Sequence, residues 1–110
     1  VNALRQRLYG DWEGMHATPS EVAITQALLG CLPEGAAMQP PEPVTPEFVA
    51  APAGDRHGPP DAHRAAFPDG RVGSHSVLAR PEDGRRLLAA AGRGVAAAFA
   101  AFENDLKALR

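Results

Sequence analysis

The sequence predicts a mostly helical chain with a long proline-rich extended segment between its helical parts. Three observations carry this. Thr18-Pro19-Ser20-Glu21 reads as a helix start, Leu88, Val95, Phe102 and Leu109 recur every seven residues, and no run has the β-branched alternation of a core strand.

Taken in order, Val1 to Leu8 reads as the tail of a helix. Val1, Leu4 and Leu8 share one face, Arg5 and Arg7 point elsewhere, and Tyr9-Gly10 ends it. A second helix is expected from Pro19 to Leu29. Thr18 caps it, Pro19 suits the first helical position, and Glu21 stands where a capping box needs a carboxylate. Gly30 is placed to stop it. Val22, Ile24, Leu28 and Leu29 spread its apolar side over a wide arc, with Ala23 and Ala27 allowing close approach, which suggests burial between layers. From Leu32 to Pro60 the prolines forbid regular helix and central strand. That stretch reads either as a linker or as an ordered arm anchored by Met38, Val44, Phe48 and Val49, with Val44-Thr45-Pro46 a short edge strand. Asp61 to Phe67 allows two turns of helix before the turn signature Pro68-Asp69-Gly70. Arg71 to Arg80 reads as loop. Pro81-Glu82-Asp83 opens a long helix with its acids at the positive end. Ala91, Phe99 and Leu106 widen its apolar stripe, and Gly92 and Gly94 read as close-packing sites or a kink.

Composition narrows the function classes. The net charge is −2 over 110 residues, with both signs interspersed. There is no basic run and little aromatic surface, so nothing points to nucleic acid. The longest apolar stretch is alanine-rich and broken by Gly and Arg, which argues against a membrane span. The lone Cys31 excludes an internal disulfide and a cysteine zinc cluster, and a reducing cytoplasm is the default. Alanine supplies much of the apolar count and buries little area, so a good core from this chain alone is not expected.

The unusual side chains gather in the stretch Gly10 to Val22. It holds the one tryptophan, Trp12, together with Asp11, Glu13, His16 and Glu21. Read from the residues alone, Glu21 completes the capping box, His16 is a turn histidine bonded to backbone, and Trp12 is a plug at a turn. Asp11 reads as a solvated turn residue. His57, His63 and His75 have no helix-face spacing, lie in expected loops, and read as surface histidines rather than metal ligands. Ser74 and Ser76 lack an orienting acid in sequence, which argues against a serine triad.

The pattern Trp12-Glu13-x-x-His16-x-x-x-x-Glu21 resembles the late active-site segment of the creatininase (creatinine amidohydrolase) family, in which a Trp-Asp pair, a His and a Glu recur at this spacing. The form His-Ala-Thr-Pro-Ser-Glu, here His16 to Glu21, is similar to that of a subgroup of uncharacterised members. Phe67-Pro68-Asp69-Gly70-Arg71-Val72-Gly73-Ser74 and then Ala79-Arg80-Pro81-Glu82-Asp83-Gly84-Arg85-Arg86 resemble the family's C-terminal end, a Gly-Ser loop followed by a Pro-Glu-x-Gly helix start. The two matches occur in the family's order and span most of the chain.

The resemblance implies an α/β fold, the family's three-layer α/β/α architecture around a largely parallel sheet. This chain would supply the C-terminal portion of one such domain, residues 1–110. Residues 1–31 would give helices and the active-site turn, 32–60 a Pro-rich arm, and 61–110 a loop and the long C-terminal helix. It implies hydrolysis of a C–N amide bond in a small cyclic or formylated substrate. His16 would protonate the leaving nitrogen or hold the attacking water, with Glu21 orienting it. Trp12 and Glu13 would bind substrate, Glu13 standing where the family has Asp. Two divalent ions, zinc, manganese or iron, would activate water. The family's Glu-x-His and Gly-His-Gly-Gly-Asn metal motifs do not occur here, so no metal ligand is assigned to this chain. The implied partners are a missing N-terminal portion or another copy, in a homo-oligomer. The alternative is a non-catalytic interaction module that uses the Pro-rich segment and the long helix.

Overall fold

The computed structural model describes residues 1–30, 40–41 and 59–109. Among the described residues there are four helices: α1 (Asn2–Tyr9), α2 (Pro19–Leu29), α3 (Pro60–Ala66) and α4 (Pro81–Ala108). Short 3-10 turns at Gly10–Glu13 and Ser76–Leu78 join them to the loops. The expected three-layer α/β/α architecture is not formed. Among the described residues there is no strand, and the one extended pairing is an isolated antiparallel bridge between His16 and Val72. The physical reason is in the composition: alanine-rich and proline-bounded segments offer neither the alternation nor the β-branched content of a sheet. The edge strand at Val44-Thr45-Pro46, the anchored arm and Cys31 lie outside the described residues.

The helix boundaries follow local chemistry. At the start of α2, Thr18 Oγ1 accepts from the Glu21 amide at 3.1 Å, and Glu21 Oε2 accepts from the Thr18 amide at 3.0 Å. The capping box is therefore closed in both directions. Gly30, at φ 64, ends the helix in the left-handed region. α4 begins with Pro81 at its first position and Glu82 and Asp83 in its first turn. Arg85 and Arg86 sit 3.6 Å and 3.0 Å from these two acids at i,i+3 spacing. The loop expected at Arg71 to Arg80 contains the second 3-10 turn, because the Leu78 and Ala79 amides bond back to His75 and Ser76.

The main packing contact is α2 against the first turns of α4. The buried face of α2 is Pro19, Ser20, Ala23 and Gln26, not the wide arc of large residues. Val22 and Ile24 are half-buried, and Leu28 and Leu29 lie beyond the contact, 64% and 73% exposed. Small side chains replace large ones here because the helices touch backbone to backbone. A Cβ on Gly84 would sit 2.0 Å from the Ala23 carbonyl oxygen and 2.9 Å from the Ala27 Cβ. Gly84 is thus the close-packing glycine, whereas Gly92 and Gly94 face open space. Leu87, one turn on, is the largest fully buried side chain, and Val72 and Tyr9 belong to the same buried set.

The seven-residue stripe of α4 is present but is not covered by the described residues. From Gly92 to Leu109 every residue is exposed, including Val95, Phe99, Phe102, Leu106 and Leu109. Among the described residues no helix is long and apolar enough to cross a membrane.

Two glycine substitutions should act in opposite directions. Gly84→Ala should lower stability by about 1–3 kcal/mol through overpacking against α2. Gly92→Ala, in open space within the same helix, should raise it by about 0.5–1 kcal/mol. Urea unfolding followed by circular dichroism reads both.

Candidate functional site

The stretch Gly10 to Glu21 folds onto a loop more than fifty residues away in sequence. The Met15 amide donates to the Val72 carbonyl at 2.8 Å, the His75 amide to the Trp12 carbonyl at 2.9 Å, and the Val72 amide to the His16 carbonyl at 3.4 Å. Gly14, at φ 62, makes this approach possible. A Cβ there would fall 2.2 Å from Ser74 Oγ and 2.5 Å from the Ser74 nitrogen. Ala17 follows at φ 54, a left-handed conformation that costs a residue with a Cβ about 1–2 kcal/mol. The Ser76 hydroxyl donates to its carbonyl and holds it there.

The opposing loop is preset by its own turn. The Gly70 amide bonds the Phe67 carbonyl at 3.0 Å across Pro68-Asp69. Asp69 Oδ1 accepts the Arg71 amide at 3.0 Å, and Oδ2 accepts Arg71 Nε at 2.8 Å. The Arg71 amide chiefly holds the Asp69 carboxyl below the usual carboxylate range; burial opposes it, and the Arg71 guanidinium adds a further lowering.

Behind this contact runs a buried polar chain. Glu13 Oε1 accepts from Arg5 Nε at 2.7 Å and from the Ser20 hydroxyl. Ser20 has one proton and gives it to Glu13, so in the 3.0 Å contact between Ser20 Oγ and Thr18 Oγ1 the donor is Thr18. Thr18 Oγ1 in turn accepts from the Glu21 amide. The capping box, the helix start and the buried carboxylate are therefore one network that ends at α1. Glu13 Oε2, Tyr9 Oη and Gln26 Oε1 are buried without hydrogen-bond partners. Burial, then the nearby Asp83 and Glu13 carboxylates, push the Tyr9 hydroxyl up to about 12, with Arg86 acting weakly the other way.

The sequence-proposed site residues are distributed as follows. Trp12 is 41% exposed and can offer part of its indole to a ligand. His16 and Glu21 are exposed at the mouth of α2, and one Glu21 oxygen is engaged at the Thr18 amide. Glu13 is buried and turned to Arg5 and Ser20, so Arg5 does not stand apart from the site as the helix pattern suggested. Asp11 is exposed. His63 lies within α3 rather than in a loop. His75 is not a surface histidine: it is 9% exposed, and its ring meets that of Trp12 edge-on at 5.5 Å and 65°. Burial, then Arg71, lower its pKa and favour the neutral ring. Sequence reasoning missed Ser20, Arg5 and His75. The one available signal was the place of Ser20 inside the capping box. His57 lies outside the described residues.

Among the described residues no three His, Cys, Asp or Glu converge in a way that could hold a metal ion. Compared with known proteins, the chain matches no family model and no curated protein.

The chain's one tyrosine makes its environment directly readable. Absorbance of the phenolate should titrate near 12 in the folded chain and near 10 in denaturant. A raised pKa means the neutral hydroxyl is the form that folding favours. This contribution to stability is complete below pH 10 and is lost as pH rises through the folded value. Tyr9→Phe should remove that component of the alkaline loss and cost little at neutral pH, since the hydroxyl has no partner to lose.

Proposed function

We propose that this chain is part of a metal-dependent amidohydrolase resembling creatininase, hydrolysing a C–N amide bond in a small cyclic or formylated substrate. One observation supports this above the others. The two segments that resemble the family, one around Trp12 to Glu21 and one around Phe67 to Ser74, are distant in sequence and packed directly on each other. A resemblance confined to unrelated surface turns would have no reason to meet in space.

In this reading His16 protonates the leaving nitrogen or holds the attacking water, and Glu21 orients the imidazole with the oxygen capacity left beyond its capping bond. Trp12 forms a substrate wall suited to a planar amide or ring. Glu13, buried against Arg5 and Ser20, supports that wall from behind. The donor set among the described residues does not fit a resident metal. The ions belong to residues of a further polypeptide, either more of the same protein or another copy in a homo-oligomer. That polypeptide also covers the exposed face of α4. A cytoplasmic location belongs to the same reading and rests on the single cysteine. The second reading, a non-catalytic interaction module, is favoured by one feature, the apolar face from Val95 to Leu109.

The test is turnover of small cyclic and formylated amides by the complete protein. His16→Ala and His16→Asn should each lower turnover by roughly 10²–10⁴-fold with metal content unchanged. Glu21→Gln should lower it less. Thr18→Ala should cost about 1 kcal/mol of stability and leave turnover nearly intact. Full turnover by His16→Ala would remove the catalytic assignment. Loss of partner binding in Phe99→Glu, in an assembly that hydrolyses no amide, would favour the interaction module.

A further inference from the structure

We propose that His75 is the positioning residue for Trp12: its buried ring, clamped by backbone to the Trp12 carbonyl, fixes the indole so that the exposed part forms a rigid wall. The nature of what that wall binds rests on the amidohydrolase reading, whereas the coupling of the two rings does not.

Three features of His75 carry the argument. Its amide donates to the Trp12 carbonyl at 2.9 Å, so main chain ties the two residues before any side chain is considered. Its ring then meets the indole edge-on at 5.5 Å, a geometry in which the positive edge of one ring faces the negative face of the other. Its Nδ1 is buried with no hydrogen-bond partner. A buried polar atom left unsatisfied opposes folding, so a residue serving only to fill space would be better chosen as leucine. What the imidazole provides in return is the ring contact with Trp12. Burial and Arg71 favour its neutral form, so the contact does not bring an unpaired charge into the interior.

The surroundings fix the pair further. Gly73, at φ 68, and the buried Ser74 set the course of the chain into His75. The backbone of Gly14, two residues after Trp12, lies directly against Ser74. Trp12 remains 41% exposed while its carbonyl and one side of its ring are held. An indole otherwise loses side-chain freedom when a ligand binds, and a preset one has less to lose.

Trp12 is the chain's one tryptophan, so its spectroscopy reports this contact alone. The experiment compares wild type with His75→Leu and His75→Phe by near-ultraviolet circular dichroism and acrylamide quenching. Far-ultraviolet dichroism confirms equal helix content. Wild type and His75→Phe should show sharp indole bands and restricted quenching. His75→Leu should weaken the bands and release the indole, raising the freely quenched fraction roughly two- to ten-fold, the range expected for a lost aromatic pair. Indole signals in His75→Leu equal to wild type would overturn the proposal. So would a His75→Phe chain of normal helix content with a released indole. This second comparison decides the matter if the leucine variant does not fold. In the complete protein His75→Leu should raise KM for a cyclic amide more than it lowers kcat. Released indole bands with an unchanged KM would support the positioning role and count against Trp12 as a substrate wall.

Discussion

The structure depends on one contact, the backbone of Gly84 against the carbonyl of Ala23. Helices that approach this closely cannot place leucines between them, so the packed face of α2 is built from Pro19, Ser20, Ala23 and Gln26. Two consequences follow. The large residues of α2 are pushed to the flank and the far end, where Leu28 and Leu29 face outward. The N-terminus of α2 is held firmly against the start of α4, with Thr18, Pro19 and Ser20 all buried. A helix start that is usually a fraying end becomes a fixed point, and the Gly10 to Glu21 stretch is anchored to it.

From that point the site is assembled by restraint rather than by a large core. The Thr18–Ser20–Glu13–Arg5 chain ties the helix start to α1. Gly14 lets the turn lie on Ser74 with no side chain between them. Ala17 accepts an unfavourable backbone conformation directly after His16, and Ser76 bonds its carbonyl. Strain of this kind persists when the surroundings over-determine it, and it concentrates where a side chain must be aimed. The position of His16 between the Val72 bridge and the strained Ala17 fits that description.

Local signals in the sequence were legible where the physics is local. The Thr18–Glu21 capping box, the Gly30 stop and the proline opening of α4 each depend on a few adjacent residues, and each stands in the structure. The long-range features were not legible in the same way. Gly84 as the close-packing glycine, rather than Gly92 or Gly94, is decided by which turn of α4 meets α2, and periodicity carries no such information. The burial of His75 depends on a loop folding back more than fifty residues, and a histidine after a Gly-Ser pair reads as exposed from sequence alone. The α/β expectation came from resemblance and not from any strand pattern, and the described residues contain no strand. The exposed apolar face of α4 has the width of a packed face, and the described residues do not cover it.

The central claim is that the Trp12 turn and the Val72–His75 loop form one folded unit. Native-state amide exchange, resolved by residue, tests it most directly. The Met15 and His75 amides donate across the contact at 2.8 Å and 2.9 Å. Both should exchange as slowly as the interior amides of α2, and both should open together with them. Exchange of Met15 and His75 at the rate of an unstructured peptide, while α2 stays protected, would contradict the account.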